Sequence, residues 1–383
     1  MLVPLRQATW LGTLIVVIAT SGGAQSSNAG SLTIADSLFQ PIQLPPVLSF
    51  GYPPNDVHKP QIVEMIRRRE FDALDAMYGA LQADVVRNVK HEMRFDDAFA
   101  AVERNDAALL ANIDAWITAR PRSAHARVAR ASYLLDVAWR RRGTAYIADT
   151  PEENIRGMTE LAQRAILDVV AALQIDSTHL IAYEVAIAVT KLAGSHELAV
   201  QLMTRGTAIH RGSYALRRAF MTMLWPRWGG SEAAMIAFAE RAAKDSAVNP
   251  RLATLRGAVY ENRANDSSLA QNYAGAVREL NKAVALGPER TYVRERGEAY
   301  FRLGAYEYAF GDLRFALIER SQDRETLEYY GRTLVELAAR SRQAIRPTVL
   351  ARAIEVLELA TYLDPANTRV RSALSRARQM AAS

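Results

Sequence analysis

Within seven positions, Trp225-Pro226-Arg227-Trp228-Gly229-Gly230-Ser231 supplies two aromatic faces, a fixed cation, two glycines and a hydroxyl. The glycines permit unusual backbone angles and close approach, and a helix starting here would expose N–H donors beside the fork-shaped guanidinium of Arg227. Such a corner suits an anion or a carbohydrate acid held between donors and a Trp face. The competing expectation is packing: Trp228 fills the core, Arg227 pairs with an acid on a neighbouring helix, and the glycines turn the chain. Ser231 has the look of a nucleophile on a tight turn. However, Gly229-Gly230-Ser231-Glu232-Ala233 lacks the closing glycine and no strand precedes it. Ser231 is better placed to cap the first turn of a helix from Glu232 to Ala243, a role worth about 1 kcal/mol.

Other chemistry is thinly represented. The six histidines (58, 91, 125, 179, 196 and 210) include no pair at i+3 or i+4. His196-Glu197-Leu198-Ala199-Val200 begins like a zinc-protease helix, but Val200 stands where the second ligand belongs. Asp96-Asp97 and Glu152-Glu153 are adjacent and point about 100° apart on a helix, a poor start for an acid and base facing one bond. No Gly-rich phosphate loop ends in Gly-Lys-Ser or Gly-Lys-Thr, and there is no cysteine for thiol catalysis or metal. No catalytic residue, metal site or cofactor is therefore assigned. In Trp139-Arg140-Arg141-Arg142-Gly143, consecutive arginines fan around a helix and cannot share one ligand. One or two should cover apolar surface or meet acids such as Asp136, with Gly143 just past the helix end.

The elements that must position these groups are helices. From Pro60 onward, segments of about 12 to 24 residues carry apolar side chains three and four apart, and none alternates with period two. Leu161, Ala165, Ile166, Val169, Val170 and Leu173 form one such stripe. Ahead of them, Arg6, the apolar run Trp10 to Thr20 and Ser21-Gly22-Gly23-Ala24 have the order of a secretory signal cleaved near Ala24. This start and the missing cysteines imply a periplasmic protein, or an inner-membrane anchored one if the segment is retained. Residues 25–59 read as a Pro/Gly/Ser-rich linker whose Phe39, Leu44, Val47 and Phe50 pack on the first helices. The net charge of +6 is carried mainly by Arg, with no basic block interleaved with aromatics, so nucleic acid is not an expected partner. Arg369, Arg371, Arg376 and Arg378 read as the solvated face of a terminal capping helix.

Repetition fixes the C-terminal architecture. Tyr273, Ala276, Leu280 and Ala283 recur as Tyr306, Ala309, Leu313 and Ala316, and in part as Ala353, Leu357 and Ala360. Gly257, Gly297 and Gly331 precede them, each followed three positions later by Tyr260, Tyr300 or Leu334. Residues 248–365 thus resemble tetratricopeptide repeats, the middle unit most completely. The first unit is seven residues longer between its Gly and Ala marks, the third ten longer with Ser341 to Pro347 as the insertion. Before them, Trp116 ahead of Pro121, Trp139 to Gly143, Ala182-Tyr183 and Trp225 to Ser231 resemble a bacterial domain family bearing a Pro-Arg-Trp-Gly-Gly-Ser signature, over about 62–245. That family carries no established activity.

The resemblance implies an all-α, right-handed solenoid of helical hairpins, with an irregular helical domain at 60–247 and three repeats plus a cap at 248–383. In such repeats the first helix of each hairpin lines a concave groove. Its wall here would include Arg251, Thr254, Glu261, Arg294, Glu298, Phe301, Arg302, Glu328, Arg332 and Glu336, mixed in sign and without strong selectivity for acidic tails. The function implied is a non-enzymatic module that holds a protein or extended peptide. The alternative is a cell-envelope enzyme or an anion- or glycan-binding protein working through Arg227, Trp228, Gly229, Gly230 and Ser231.

Overall fold

The computed structural model describes residues 50–144 and 147–382. The expected signal segment and most of the linker, including Phe39, Leu44 and Val47, lie outside the described residues. Among those described there are α-helices and short 3-10 turns and no strand, and no helix is long and apolar enough to cross a membrane.

The first region runs through α1 (Lys59–Arg67), α2 (Phe71–Arg87), α3 (Glu92–Phe99), α4 (Ala107–Ala119), α5 (Ala124–Arg142) and α6 (Glu152–Ile175). It continues through α7 (Leu180–Ala193), α8 (His196–Ile209), α9 (Tyr214–Met223) and α10 (Glu232–Ala243). Local chemistry sets the ends. Ser123, Ser213 and Ser231 each accept the amide three residues on, satisfying one otherwise orphaned donor. Gly143 and Gly194 take positive φ just past α5 and α7, where a side chain would be strained. The long pair α5 and α6 and the pair α7 and α8 pack in succession. Their shared core extends from Ile62 to Val259 and holds Trp116, Tyr78, Phe95 and Tyr183. Hydrophobic packing therefore continues across the change of pattern near Pro250.

Three hairpins follow: α11 (Ala258–Leu269) with α12 (Tyr273–Leu286), α13 (Arg290–Arg302) with α14 (Tyr306–Glu319), and α15 (Arg324–Arg340) with α16 (Arg346–Leu363). The closing helix is α17 (Thr368–Ala382). The repeated Ala and Leu positions of α12, α14 and α16 are all buried. A methyl group added to Gly297 would lie 2.8 Å from Leu313 Cγ, and one on Gly331 would lie 2.6 Å from Leu357 Cδ2. Glycine at these sites is what lets the paired helices touch. Gly257 differs, ending a 3-10 segment (Pro250–Gly257) and lying against Tyr292 of the next hairpin. The extra residues of the first unit lengthen the run before the turn at Ala270. Those of the third lengthen α15 as well as the loop after it.

The solenoid closes on itself. The Lys59 amide donates to Gln322 Oε1 at 2.8 Å, and Lys59 Nζ lies 3.1 Å from Asp97. Arg320 meets Asp96 and Asp97, Arg324 meets Asp136 at 2.6 Å, and Tyr362 donates to Glu64 at 2.9 Å. The α14–α15 turn and the end of α16 thus rest on α1, α3 and α5. The core of the last hairpins, from Ala309 to Ala377, is a separate apolar cluster from that of the first region. The seam between them is largely ionic.

Candidate functional site

The first helices α13 and α15 lie side by side, and the closing helix α17 lies against α15 in the same way. They enclose a groove of 380 Å³ lined by Phe301, Arg332, Val335, Glu336, Arg369, Ala373 and Arg376, with Thr368 and Ser372. Its floor is apolar and aromatic. Arg332 stacks over Phe301 at 4.6 Å and over Tyr329 at 5.3 Å. Its rim alternates in sign. Glu328 accepts from Arg332 at 2.9 Å and from Arg369 at 2.8 Å, while Arg376 binds Glu336. Arg302 donates to the Tyr329 hydroxyl at 3.1 Å beside this floor.

The expected wall residues divide by what faces them. Phe301, Arg332 and Glu336 line the groove. Arg294 is bound by Glu298, by Glu295 and, at 3.1 Å, by Glu325. Burial holds the Glu298 carboxyl up at about 7 even with Arg294 against it. Arg251, Thr254, Glu261 and Glu328 are buried. Arg251 reaches Glu289 at 2.7 Å and Glu319 at 3.0 Å, the Thr254 hydroxyl donates to the Arg251 carbonyl, and Glu261 is bound by Arg218. Arg251, Thr254 and Glu261 are internal ties, while Glu328, though buried, takes the rim arginines Arg332 and Arg369.

At the Trp225–Ser231 corner, Trp225 is buried, and Pro226–Trp228 forms a 3-10 turn ended by Gly229 at φ +88°. Gly230 is pressed on the chain itself: a methyl there would lie 2.1 Å from the Leu224 carbonyl oxygen. A methyl on Gly229 would meet His196 Nε2 at 3.3 Å. The Ser231 hydroxyl accepts from the Ala234 amide at 3.2 Å, and Glu232 binds Arg263 through both oxygens. Arg227 donates to Asn265 Oδ1 and to the Thr144 carbonyl, both at 3.3 Å, and lies 5.4 Å from the Trp228 ring centre.

Trp228 meets Trp139 edge to face at 5.5 Å. Arg142 stands 4.8 Å and Lys191 5.6 Å from the Trp228 ring, and Lys191 is 4.8 Å from Trp139. Trp139 and Arg142, three apart on α5, share a face. Arg140 turns instead to Asp136 at 2.8 Å, and Arg141 to Glu153 at 2.5 Å. Lys191 escaped the sequence reading, yet it left a signal: Glu184 and Lys191 are the two charged side chains of α7.

Among the described residues, no group of three His, Cys, Asp or Glu is arranged to hold a metal ion. A comparison with curated proteins finds no match. Solved structures similar to the chain include the crystal structure of the APC/C hetero-tetramer Cut9-Hcn1, at 14% identity and a TM-score of 0.33. The alignment covers 83% of this chain and 54% of that one, so the chain spans about half its length. Residues 58–213 match a family described as a domain of unknown function (DUF4034), a match that ends before the Trp225–Ser231 stretch.

Proposed function

We propose that the chain is an interaction module that holds an extended segment of another protein in the groove between α13, α15 and α17. The observation that carries this reading is the groove itself: an aromatic floor at Phe301 with a charged rim. A floor of this kind takes an apolar side chain, and a rim of both signs fixes register more than it adds affinity. At the rim, the guanidiniums of Arg332, Arg369 and Arg376 share the carboxylates of Glu328 and Glu336. Two of those cations come from α17, and the excess of one favours a segment that also carries a carboxylate. Export through the apolar N-terminal segment, with cleavage near Ala24, belongs to the same reading.

A photo-reactive residue placed at Ser372, inside the groove, should crosslink a protein partner that the same residue at exposed Glu152 does not. Phe301→Ala should abolish the crosslink. Equal capture from both positions would sink the groove as the binding surface. Export is tested apart from this, by the mass of the protein recovered from the periplasm of an expressing bacterium. A chain still beginning at Met1 would remove cleavage from the proposal.

A further inference from the structure

We propose that the corner where α5, α7 and the Pro226–Trp228 turn meet binds an oxyanion, a phosphate or carboxylate group of a ligand, through Lys191 and Arg227, beside the buried Arg142, on the Trp139–Trp228 pair. The site is separate from the α13–α17 groove, and either can fail without the other.

Lys191 is short of partners among the described residues. An ammonium has three donors, and this one makes a single hydrogen bond among the described residues, to Thr222 Oγ1 at 3.1 Å. No carboxylate of the described residues comes within 4.0 Å of it. Its charged neighbours are guanidiniums. Burial, then Arg218, Arg227 and Arg142, bring its ammonium down to about 8. Arg218 is already committed to Glu261. Arg142 and Lys191 each lie within 6 Å of both Trp rings, Arg142 at 4.8 and 5.8 Å and Lys191 at 4.8 and 5.6 Å. The negative ring faces attract these cations, but two rings cannot offset a cluster of like charges.

An oxyanion fits what remains. It accepts from several donors at once, and the bond is strengthened where water is partly excluded. Arg227 reaches the same corner, donating to the Asn265 amide oxygen and to the Thr144 carbonyl. Asp266, whose carboxyl burial raises and Arg227 lowers, makes no ion pair within 4.0 Å of the corner's cations among the described residues. Trp139, Lys191, Arg227 and Trp228 are all partly exposed, so a ligand can reach them.

The full chain is titrated with potassium phosphate, then with potassium acetate, against potassium chloride at equal ionic strength. Tryptophan emission and Tm are followed. Phosphate or acetate should shift both saturably beyond the chloride control. Phosphate alone acting points to a phosphate-bearing ligand, acetate acting as well to a carboxylate. Lys191→Met should remove the response without lowering Tm in chloride, because it deletes a crowded charge, and Lys191→Arg should restore part of it. If Lys191→Met does not give a helical spectrum, Arg227→Gln is read instead and should weaken binding at least fivefold. Responses no different from chloride, or a full response in the folded Lys191→Met protein, would overturn the proposal.

Discussion

Arg140 and Asp364, 224 positions apart in the chain, form an ion pair at 3.1 Å that joins α5 to the end of α16. Asp364 has 8% of its side chain exposed, so removing its partner leaves a mostly desolvated carboxylate. Arg140→Ala should therefore lower stability by about 1–2 kcal/mol, less than for a fully buried pair because Arg140 is itself partly hydrated. Asp364→Asn should do less harm, since Arg140 keeps Asp136 at 2.8 Å. Urea denaturation of both single variants and the double variant checks this. Strict additivity would mean the pair contributes nothing to closing the solenoid.

Arg251 is a more severe case. It is 2% exposed, bound by Glu289 and Glu319, and its guanidinium stands 4.6 Å from the Tyr214 ring. Buried as it is, the Glu289 carboxyl stays ionised down to about 2, because Arg251 and then Arg290 hold it there. Arg251→Met keeps the volume but strands that carboxylate, and should cost about 3–5 kcal/mol. Glu289→Gln should cost less, because Glu319 remains for the arginine. Chemical denaturation ranks the two, and the reverse order would contradict the assignment of Arg251 as the hub.

What was legible follows from the range over which each signal acts. Gly297 and Gly331 stand three positions before Tyr300 and Leu334, and Leu313 and Leu357 four positions after Ala309 and Ala353, so periodicity within each helix reports the pairing even where the loop between the helices differs. The same offsets place Arg251, Thr254, Glu261 and Glu328 on an open groove wall, whereas the structure buries all four. What periodicity does not carry is the identity of the facing group. Arg218 of α9 reaches Glu261 and Arg369 of α17 reaches Glu328, and such partners cover the expected open wall. The arginines of α17 divide for the same reason. Arg369 and Arg376 face the groove, while Arg371 donates to the Pro365 carbonyl and Arg378 to Glu358. The Trp228 corner was visible as composition. Its cation Lys191 was not, because a lone lysine in an apolar helix matches no motif.

Acid should act through the His125–His179 pair. His179 is fully buried among Phe95 and Phe99, with its Nε2 3.1 Å from His125 Nδ1. Burial, then His125, lowers its pKa from 6.5 to about 3. Between those values the unfolded chain binds a proton that the folded one refuses. The stabilisation is complete above pH 6.5 and is lost as pH falls toward 3. His179 also caps α7 by accepting the Ala182 amide. His179→Asn keeps that cap and removes the titration, so its Tm should fall less steeply than the parent's between pH 6.5 and 4. Parallel curves would show that His179 does not carry the acid sensitivity.

Two glycines test whether close approach or helix propensity governs a position. Gly311 sits exposed inside α14, and a methyl there meets nothing within 4 Å. Gly311→Ala should stabilise the protein by about 0.5–1 kcal/mol, through the freedom the unfolded chain no longer has and the better helix former. Gly230 is the opposite case. Its methyl would sit 2.1 Å from the Leu224 carbonyl oxygen, which is backbone and cannot rotate away. The turn also closes through the Gly230 amide donating to the Trp225 carbonyl at 3.2 Å. Gly230→Ala must therefore shift the whole Trp225–Ser231 turn, and should cost about 2 kcal/mol or more while moving Trp228 off Trp139. Calorimetry gives the signs, and near-ultraviolet circular dichroism reads the Trp pair. A stabilised Gly230→Ala protein would mean that the turn is looser than its contacts require.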